Sequence, residues 1–168
     1  MTIANVPPTA TFEAPTSAAA GLPFTLSSSA PHDPSAADTA AGFTYAFDCG
    51  DGYGAFGAAS SESCPATDVG TLSTGAEIRD KDGGVTEYRA SVSVSVTFAG
   101  LCDLVHAYAT DSKIADDLCH KLNDAASAPT ATAREGSLGA FRNMVDAKVG
   151  KGLTASQAAE LKLLSSRL

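Results

Sequence analysis

The chain has 168 residues, a formal net charge of −8 at pH 7 and a sequence pI of about 4.6. Because a nucleic-acid interface needs clustered Lys and Arg, this acidity argues against nucleic acid as a partner. No apolar run approaches the roughly 20 residues that cross a membrane, so we expect no membrane insertion.

The first half of the chain alternates apolar and polar residues as strands do. In the clearest run, every second residue from Tyr88 to Phe98 is apolar, and the residues between are Arg, Ser or Thr. Shorter alternations appear in "PFTLSSS" and "GFTYAFD", where the aromatic residues fall on one face. Several short strands separated by Pro, Gly, Asp and Ser clusters, with no helical pattern among them, predict an immunoglobulin-like sandwich.

Five ordered motifs make this prediction more specific. They are "NVPPTATF", "GLPFTLS", "DPSAADTAAGFTYAFDCGDGYG", "SCPATDVG" and "IRDKDGGVTEYRASVSV". Together they resemble a PKD-type domain of bacterial secreted and surface proteins, in the variant whose "YxFDCGDG" turn carries a cysteine matched by a later "SCP". The resemblance covers about residues 5–97. Such units occur in tandem, and because the opening "NVPPT" appears once, we expect a single unit that is the last of a series.

The second half predicts helices. Apolar residues recur at helical spacing on both sides of Thr110, Asp111 and Ser112, any of which could cap the second of two antiparallel helices. A third helix is expected to start at Pro129 and Thr130, or as late as Ser137 because Gly136 and Gly139 weaken its middle. Thr154 and Gln157 match a capping box at the start of a final helix.

This second half resembles the FIMAH-type helical domain found near the C-termini of secreted bacterial proteins. The resemblance covers about residues 98–164, and its most specific part is "AFRNMVDAKVGKGLTASQA". It implies a structural or adhesive accessory without a known catalytic site. The predicted fold class is therefore two domains, an all-β immunoglobulin-like sandwich over residues 5–97 followed by a small all-α helical bundle over residues 98–168.

Four cysteines with no CxxC pair favour disulfides over zinc. Three pairings are open, and Cys49 with Cys64 and Cys102 with Cys119 is the one that keeps each bridge inside one half. In an antiparallel hairpin turning near Asp111, Cys102 and Cys119 would lie at the same height. Disulfides indicate an oxidising compartment, so we expect a secreted or cell-surface location.

Calcium is the one cofactor that the loop acids suggest. A Ca²⁺ ion takes about six to eight oxygen ligands. Some PKD-like domains hold calcium near their first strand, and by that resemblance Asn5, Asp33 and Asp48 are the nominated ligands. The alternative is that Asp48 is a turn residue whose side chain binds backbone amides beside Gly50 and Gly52.

Tyr53 and Phe56, in the loop between Cys49 and Cys64, are the candidates for contact with a sugar or a protein. The alternative is that they pack over the end of the sandwich. The sequence has no GxSxG or HExxH motif, and we predict that the chain is not an enzyme.

These patterns predict a non-catalytic extracellular structural or spacer module with an adhesion role, at the C-terminus of a secreted or cell-surface bacterial protein. The alternative function is a carbohydrate- or protein-binding accessory module of a secreted hydrolase. Polysaccharide and protein are therefore candidate partners. Self-association through the edge of the final strand is a third candidate interaction.

Overall fold

The computed structural model describes residues 4–168. The chain forms two compact units. One comprises Pro23–Val94 with the described residues up to Ala18, and the other comprises Ala19–Leu22 with Ser95–Leu168. The first unit contains most of the strands, and the second contains the long helices.

Within the described residues the chain forms seven strands in two sheets. They are β1 (Thr9–Glu13), β2 (Ser17–Ala19), β3 (Phe24–His32), β4 (Thr44–Asp48), β5 (Ser61–Cys64), β6 (Gly70–Arg79) and β7 (Val85–Ser95). The first sheet has the order β1-β3-β5, and the second has the order β2-β7-β6-β4. Three strands in one sheet and four in the other, with these crossovers, make an immunoglobulin-like sandwich. The final strand, β7, lies between β6 and β2. The part of β7 that pairs with β2 therefore has no free edge for a strand from another chain.

Alternating residues of the strands build the sandwich core. Leu26 of β3, Ile78 of β6 and Val92 of β7 are fully buried. Tyr45 and Phe47 of β4 are buried as well, but Ala46 and Asp48 are buried too, so burial along β4 does not alternate as "GFTYAFD" predicts. Burial of side chains this large is the main source of stability in such a core.

Five helices are described in the chain. They are α1 (Ala36–Ala41), α2 (Phe98–Tyr108), α3 (Ser112–Ala126), α4 (Ala131–Lys148) and α5 (Ala155–Ser165). The side chains of Asp111, Thr130 and Thr154 cap α3, α4 and α5, and Thr154 forms the predicted capping box with Gln157. These three helix starts are confirmed, with α4 beginning at the earlier of the two predicted positions.

The start of α2 replaces the end of a predicted strand. The hydroxyl of Thr97 accepts a hydrogen bond from the N–H of Gly100 at 2.9 Å, which satisfies one of the free amides at the helix start. As a result β7 ends at Ser95. Phe98, predicted as the last apolar residue of the strand, is instead the first residue of α2.

The predicted fold class, an all-β sandwich followed by an all-α bundle as two domains, is wrong. The β part contains the helix α1, whose start is capped by Ser35. In addition, Ala19–Leu22 groups with the helices, where Gly21 lies against the side chain of Leu104. The chain therefore has a sandwich-like part and a helical part. Each part is built from two separate segments of the sequence. The domain limits at residues 97 and 98 stay a prediction.

The helices of the second unit pack through leucines and one phenylalanine. Leu104, Leu118, Leu122, Phe141 and Leu161 are fully buried and come from all four long helices. No helix among the described residues combines the length and the apolar character that crossing a membrane requires.

Candidate functional site

Asp48 is the centre of a charged network at the end of β4. Its Oδ1 accepts hydrogen bonds from the N–H groups of Gly50 and Gly52, each at 2.8 Å. Its Oδ2 binds the Arg89 guanidinium at 2.6 Å. Burial alone would raise the pKa of Asp48, but the two backbone N–H groups and Arg89 hold this pKa below its ordinary value.

Strand register brings this network together. Asp48 of β4 pairs with Gly75 of β6, and Gly75 pairs with Arg89 of β7, so the three residues form one row across the sheet. Side chains in one row of a sheet point to the same face. Gly75 has no side chain, and the hydroxyl of Tyr53 occupies the space beside it.

Tyr53 and Phe56 lie on this same face of the four-stranded sheet. The loop after β4 turns back along that strand, and Gly57 exchanges two backbone hydrogen bonds with Tyr45, both at 2.8 Å. The guanidinium of Arg89 lies 4.8 Å from the centre of the Tyr53 ring, and that of Arg79 lies 4.0 Å from the centre of the Phe56 ring. Cation–π contacts at this range are attractive.

The Tyr53 hydroxyl is also engaged. It donates a hydrogen bond to Glu87 Oε1 at 3.0 Å, and the same carboxylate binds Arg89. Burial, together with this hydrogen bond to Glu87, raises the pKa of Tyr53. Asp48, Tyr53, Glu87 and Arg89, which we call the Asp48 network, therefore form one connected cluster.

Gly75 gives a direct test of where Tyr53 lies. A Cβ atom at Gly75 would collide with Tyr53 Oη and would lie 2.9 Å from the carbonyl oxygen of Tyr88. We expect Gly75→Ala to displace the Tyr53 ring and to lower the free energy of unfolding by about 1–3 kcal/mol. Gly57→Ala is the matched control, because nothing lies within 4 Å of a Cβ atom at that position.

Urea unfolding followed by near-UV circular dichroism measures both effects, since the ordered tyrosine contributes to that signal. Equal stability and equal spectra for the two alanine variants would contradict this placement of Tyr53.

Asn5 and Asp33 lie together elsewhere in the sandwich unit. With Asp38 and Asp82 they line an open cavity of about 530 Å³, which we call the acidic cavity. Asp33 is buried; its Oδ1 accepts from the N–H of Ser35 at 2.7 Å, whereas its Oδ2 accepts no hydrogen bond from any described residue. A buried carboxylate oxygen without a partner is costly unless a cation or water reaches it.

Lys81 and Asn5 contact two acids, Asp38 in the acidic cavity and Asp80 near it. The ammonium of Lys81 lies 2.7 Å from the buried carboxylate of Asp38 and holds the pKa of Asp38 below its ordinary value. Asn5 Nδ2 donates to Asp80 Oδ2 at 2.8 Å. Burial opposes ionisation of Asp80, but this bond and two backbone N–H groups hold its pKa below the ordinary value.

Asp48 does not lie at the acidic cavity. Asp48 is the last residue of β4. Arg79, the residue before Asp80, pairs with Thr44, which is the first residue of β4. Four steps along a strand span about 13 Å. Both oxygens of Asp48 already have partners in its own network.

The carboxylate oxygens and the Asn5 amide oxygen of the acidic cavity suit a hard cation such as Ca²⁺. The structure thus brings together two of the three predicted ligands and adds Asp38 and Asp82 to them. Asp38 was not among the three nominated ligands, and it lies in α1, a helix that the sequence pattern did not indicate.

Two disulfides are present, one in each unit. Cys49–Cys64 joins the end of β4 to β5 and closes the loop that carries Tyr53, and Cys102–Cys119 joins α2 to α3. All four cysteines lie within the described residues and are disulfide-bonded. Two disulfides and no free thiol are typical of proteins in an oxidising, extracytoplasmic compartment.

No family model matches the sequence, and a search of curated proteins finds no match. Solved structures with some similarity include a carbohydrate-binding module of the β-sandwich superfamily, at 20% identity and a TM-score of 0.48 over 56% of this chain and 37% of that one.

Two further similar structures are smaller. The PKD1 domain of Vibrio anguillarum Epp is 23% identical, with a TM-score of 0.41 over 56% of this chain and 100% of that one. The fibronectin(III)-like modules of Clostridium thermocellum CbhA are 18% identical, with a TM-score of 0.43 over 53% of this chain and 98% of that one. At these identities and TM-scores, the three likenesses establish neither a family nor a function for this chain.

Proposed function

We propose that the chain is a non-catalytic extracellular module that acts as a structural spacer with an adhesion role in a secreted or cell-surface bacterial protein. Its sandwich-like part would be of PKD type, with predicted limits at residues 5–97, and its helical part would be of FIMAH type, with predicted limits at residues 98–168. The observation that carries this proposal is that each compact unit has its own disulfide between neighbouring elements. Cross-links of this kind oppose unfolding outside the cell.

The coverage of the aromatic rings favours a spacer over a sugar-binding site. A sugar that stacks on Tyr53 or Phe56 needs an open ring face, and an arginine covers one face of each ring. On Tyr53, the hydroxyl that could bind a sugar donates to Glu87 instead. A ligand that stacks on the Arg89 side of the Tyr53 ring would have to displace Arg89 from both the ring and the buried carboxylate of Asp48.

The second candidate is a polysaccharide- or protein-binding accessory module of a secreted hydrolase. One observation favours it: Tyr53 and Phe56 lie on the same sheet face and are only half-buried. Movement of Arg79 and Arg89 away from the rings would expose one face of each aromatic side chain.

Binding to insoluble polysaccharides and to a glycan array separates the two candidates. We expect no saturable binding by the wild-type chain, and no difference between it and the Tyr53→Ala and Phe56→Ala variants. Phe43→Ala is the control, because Phe43 is a half-buried aromatic outside this loop. Saturable binding that is lost in both loop variants and kept in Phe43→Ala would contradict the spacer proposal and support the binding module.

A divalent cation is a further part of the proposal. Asn5, Asp33, Asp38 and Asp82 would supply oxygen ligands to Ca²⁺ in the acidic cavity, and the unpartnered Oδ2 of Asp33 supports this assignment. The ion would offset the repulsion between buried carboxylates and hold the start of the chain at Asn5 against the loops.

The expected result is that Ca²⁺ raises the melting temperature of the wild-type chain and does not raise that of Asp33→Asn. Binding to the folded state at a hundredfold excess over the dissociation constant adds about 2.7 kcal/mol of stability. Asp51→Asn is the matched control, because Asp51 is an exposed loop acid outside the cavity. Differential scanning calorimetry with and without Ca²⁺ gives the comparison. An equal shift in wild type and Asp33→Asn, or no shift in wild type, would exclude this site.

A further inference from the structure

The Cys102–Cys119 disulfide lies beside a histidine on the surface of the helical unit. The sulfurs of both cysteines and a ring nitrogen of His106 lie within 4.8 Å of one another. Among the residues that the structure describes, no other group of three His, Cys, Asp or Glu side chains comes this close together. The three residues line an open groove with Asp116 and His120, so solutes can reach them.

Helix geometry accounts for the arrangement. Cys102 and His106 are four residues apart on α2, which places them on the same face of that helix. Cys119 comes from α3, and its Cα lies 5.1 Å from that of Cys102. Because Cys119 is buried and His106 is exposed, the group has protein on one side and solvent on the other.

Reduction of the disulfide would convert two inert sulfurs into metal ligands. A phosphine or dithiol reductant supplies two electrons, the S–S bond breaks, and two protons complete the two thiols; the phosphine becomes its oxide with oxygen from water. Unbonded sulfurs must then separate to van der Waals distance. Two sulfurs bound to one tetrahedral zinc, with Zn–S bonds of about 2.3 Å, are about 3.8 Å apart. Reduction therefore opens the pair to nearly the separation that zinc requires.

We propose that the reduced helical unit binds Zn²⁺ through the thiolates of Cys102 and Cys119 and a ring nitrogen of His106. Each thiol releases its proton when it binds the metal. Asp116, with a carboxylate oxygen 3.8 Å from His106 Nε2, is the nearest candidate for the fourth ligand. The zinc ion replaces the disulfide as the cross-link between α2 and α3.

The other disulfide provides an internal comparison. Among the described residues, no histidine or carboxylate joins Cys49 and Cys64 in a group of this kind. Reduction of that pair yields two thiols without a third ligand, so the site belongs to the helical unit alone.

The experiment uses the full chain with Cys49→Ala and Cys64→Ala, so that reduction exposes only Cys102 and Cys119. The chain is reduced with a trialkylphosphine without oxygen and titrated with Co²⁺, whose thiolate-to-metal absorption reports sulfur ligation. We expect one Co²⁺ per reduced chain, displacement by Zn²⁺, and no such absorption before reduction. His106→Ala should weaken binding by at least about tenfold. His32→Ala removes an exposed histidine outside this groove; it is the control and should bind like the parent.

Two results would overturn the proposal. One is a reduced chain without thiolate-to-cobalt absorption, and the other is equal Co²⁺ affinity in His106→Ala and the parent. Far-UV circular dichroism guards against loss of folding. The reduced chain should keep its helical signal or regain it when Zn²⁺ is added, and a loss that Zn²⁺ does not reverse also counts against the site.

Discussion

Replacing Asp48 with alanine is expected to lower the free energy of unfolding of the sandwich unit by about 3 kcal/mol. The substitution leaves the N–H groups of Gly50 and Gly52 without their acceptor and removes the partner of Arg89. Hydrogen bonds to a charged group are the stronger ones, and loss of a buried ionic partner is costly. Urea unfolding measures the change.

Asp51→Ala is the matched control, because it removes an exposed carboxylate from the same loop. Its effect should lie within about 0.5 kcal/mol of zero, as for most surface substitutions. If Asp48→Ala were as mild as this control, the network would have no structural role.

The contribution of the Asp48 charge should also depend on pH. The pKa of Asp48 lies below its ordinary value of 3.8 in the folded chain. The stabilisation is therefore fully present above that ordinary value and is lost as the pH falls through the folded pKa. Wild type should be more stable than Asp48→Asn near neutral pH, and this difference should shrink in acid. Urea titrations at a series of pH values test the sign, and a difference that grows in acid would contradict it.

Removing either disulfide is expected to lower stability by about 3 kcal/mol. The two bridges span 15 and 17 residues, so the entropy that each removes from the unfolded chain is similar. Alanine is the better replacement, because Cys64 is fully buried and serine would place a hydroxyl there. The Cys102→Ala, Cys119→Ala variant should lose helical circular dichroism at lower urea than wild type.

Wild type in a reducing agent is the control for the two double variants, Cys49→Ala with Cys64→Ala and Cys102→Ala with Cys119→Ala. Under metal-free conditions, its helical unit should unfold at the same urea concentration as the Cys102→Ala, Cys119→Ala variant. A double variant within about 1 kcal/mol of the oxidised wild type would show that the bridge adds little, as happens where the reduced state keeps residual structure.

The elements that the sequence predicted are those whose signal is local. The alternation in β3, β4 and β7 and the capping residues Asp111, Thr130 and Thr154 can be recognised within a few neighbouring residues. The helix α1 has only six residues and lies in a Pro-, Ser- and Ala-rich stretch that is typical of a loop. The strand β5 and the first half of β6 consist mostly of small polar residues without alternation. Their strand structure depends on pairing with neighbouring strands.

The candidate sites were predictable only in part for the same reason. The Gly-rich turn after Asp48 is visible in the sequence. The Asp48 side chain binds the N–H groups of Gly50 and Gly52, as the interpretation of Asp48 as a turn residue predicted. The link from Asp48 to Arg89 spans 41 residues and depends on the register of three strands. Coverage of Tyr53 and Phe56 by arginines depends on that register too, so no local pattern could reveal it.

Peptide mapping of the native protein tests the central claim, an extracellular module of two separately cross-linked units, most directly. No Lys or Arg precedes Arg79, so trypsin leaves Cys49 and Cys64 in one peptide, residues 1–79. Cys102 falls in residues 90–113 and Cys119 in residues 114–121. Without reduction, mass spectrometry should find an internal bridge in the first peptide, a bridge between the other two, and no free thiol. Free thiols, or a bridge between residues 1–79 and either of the other peptides, would contradict the account.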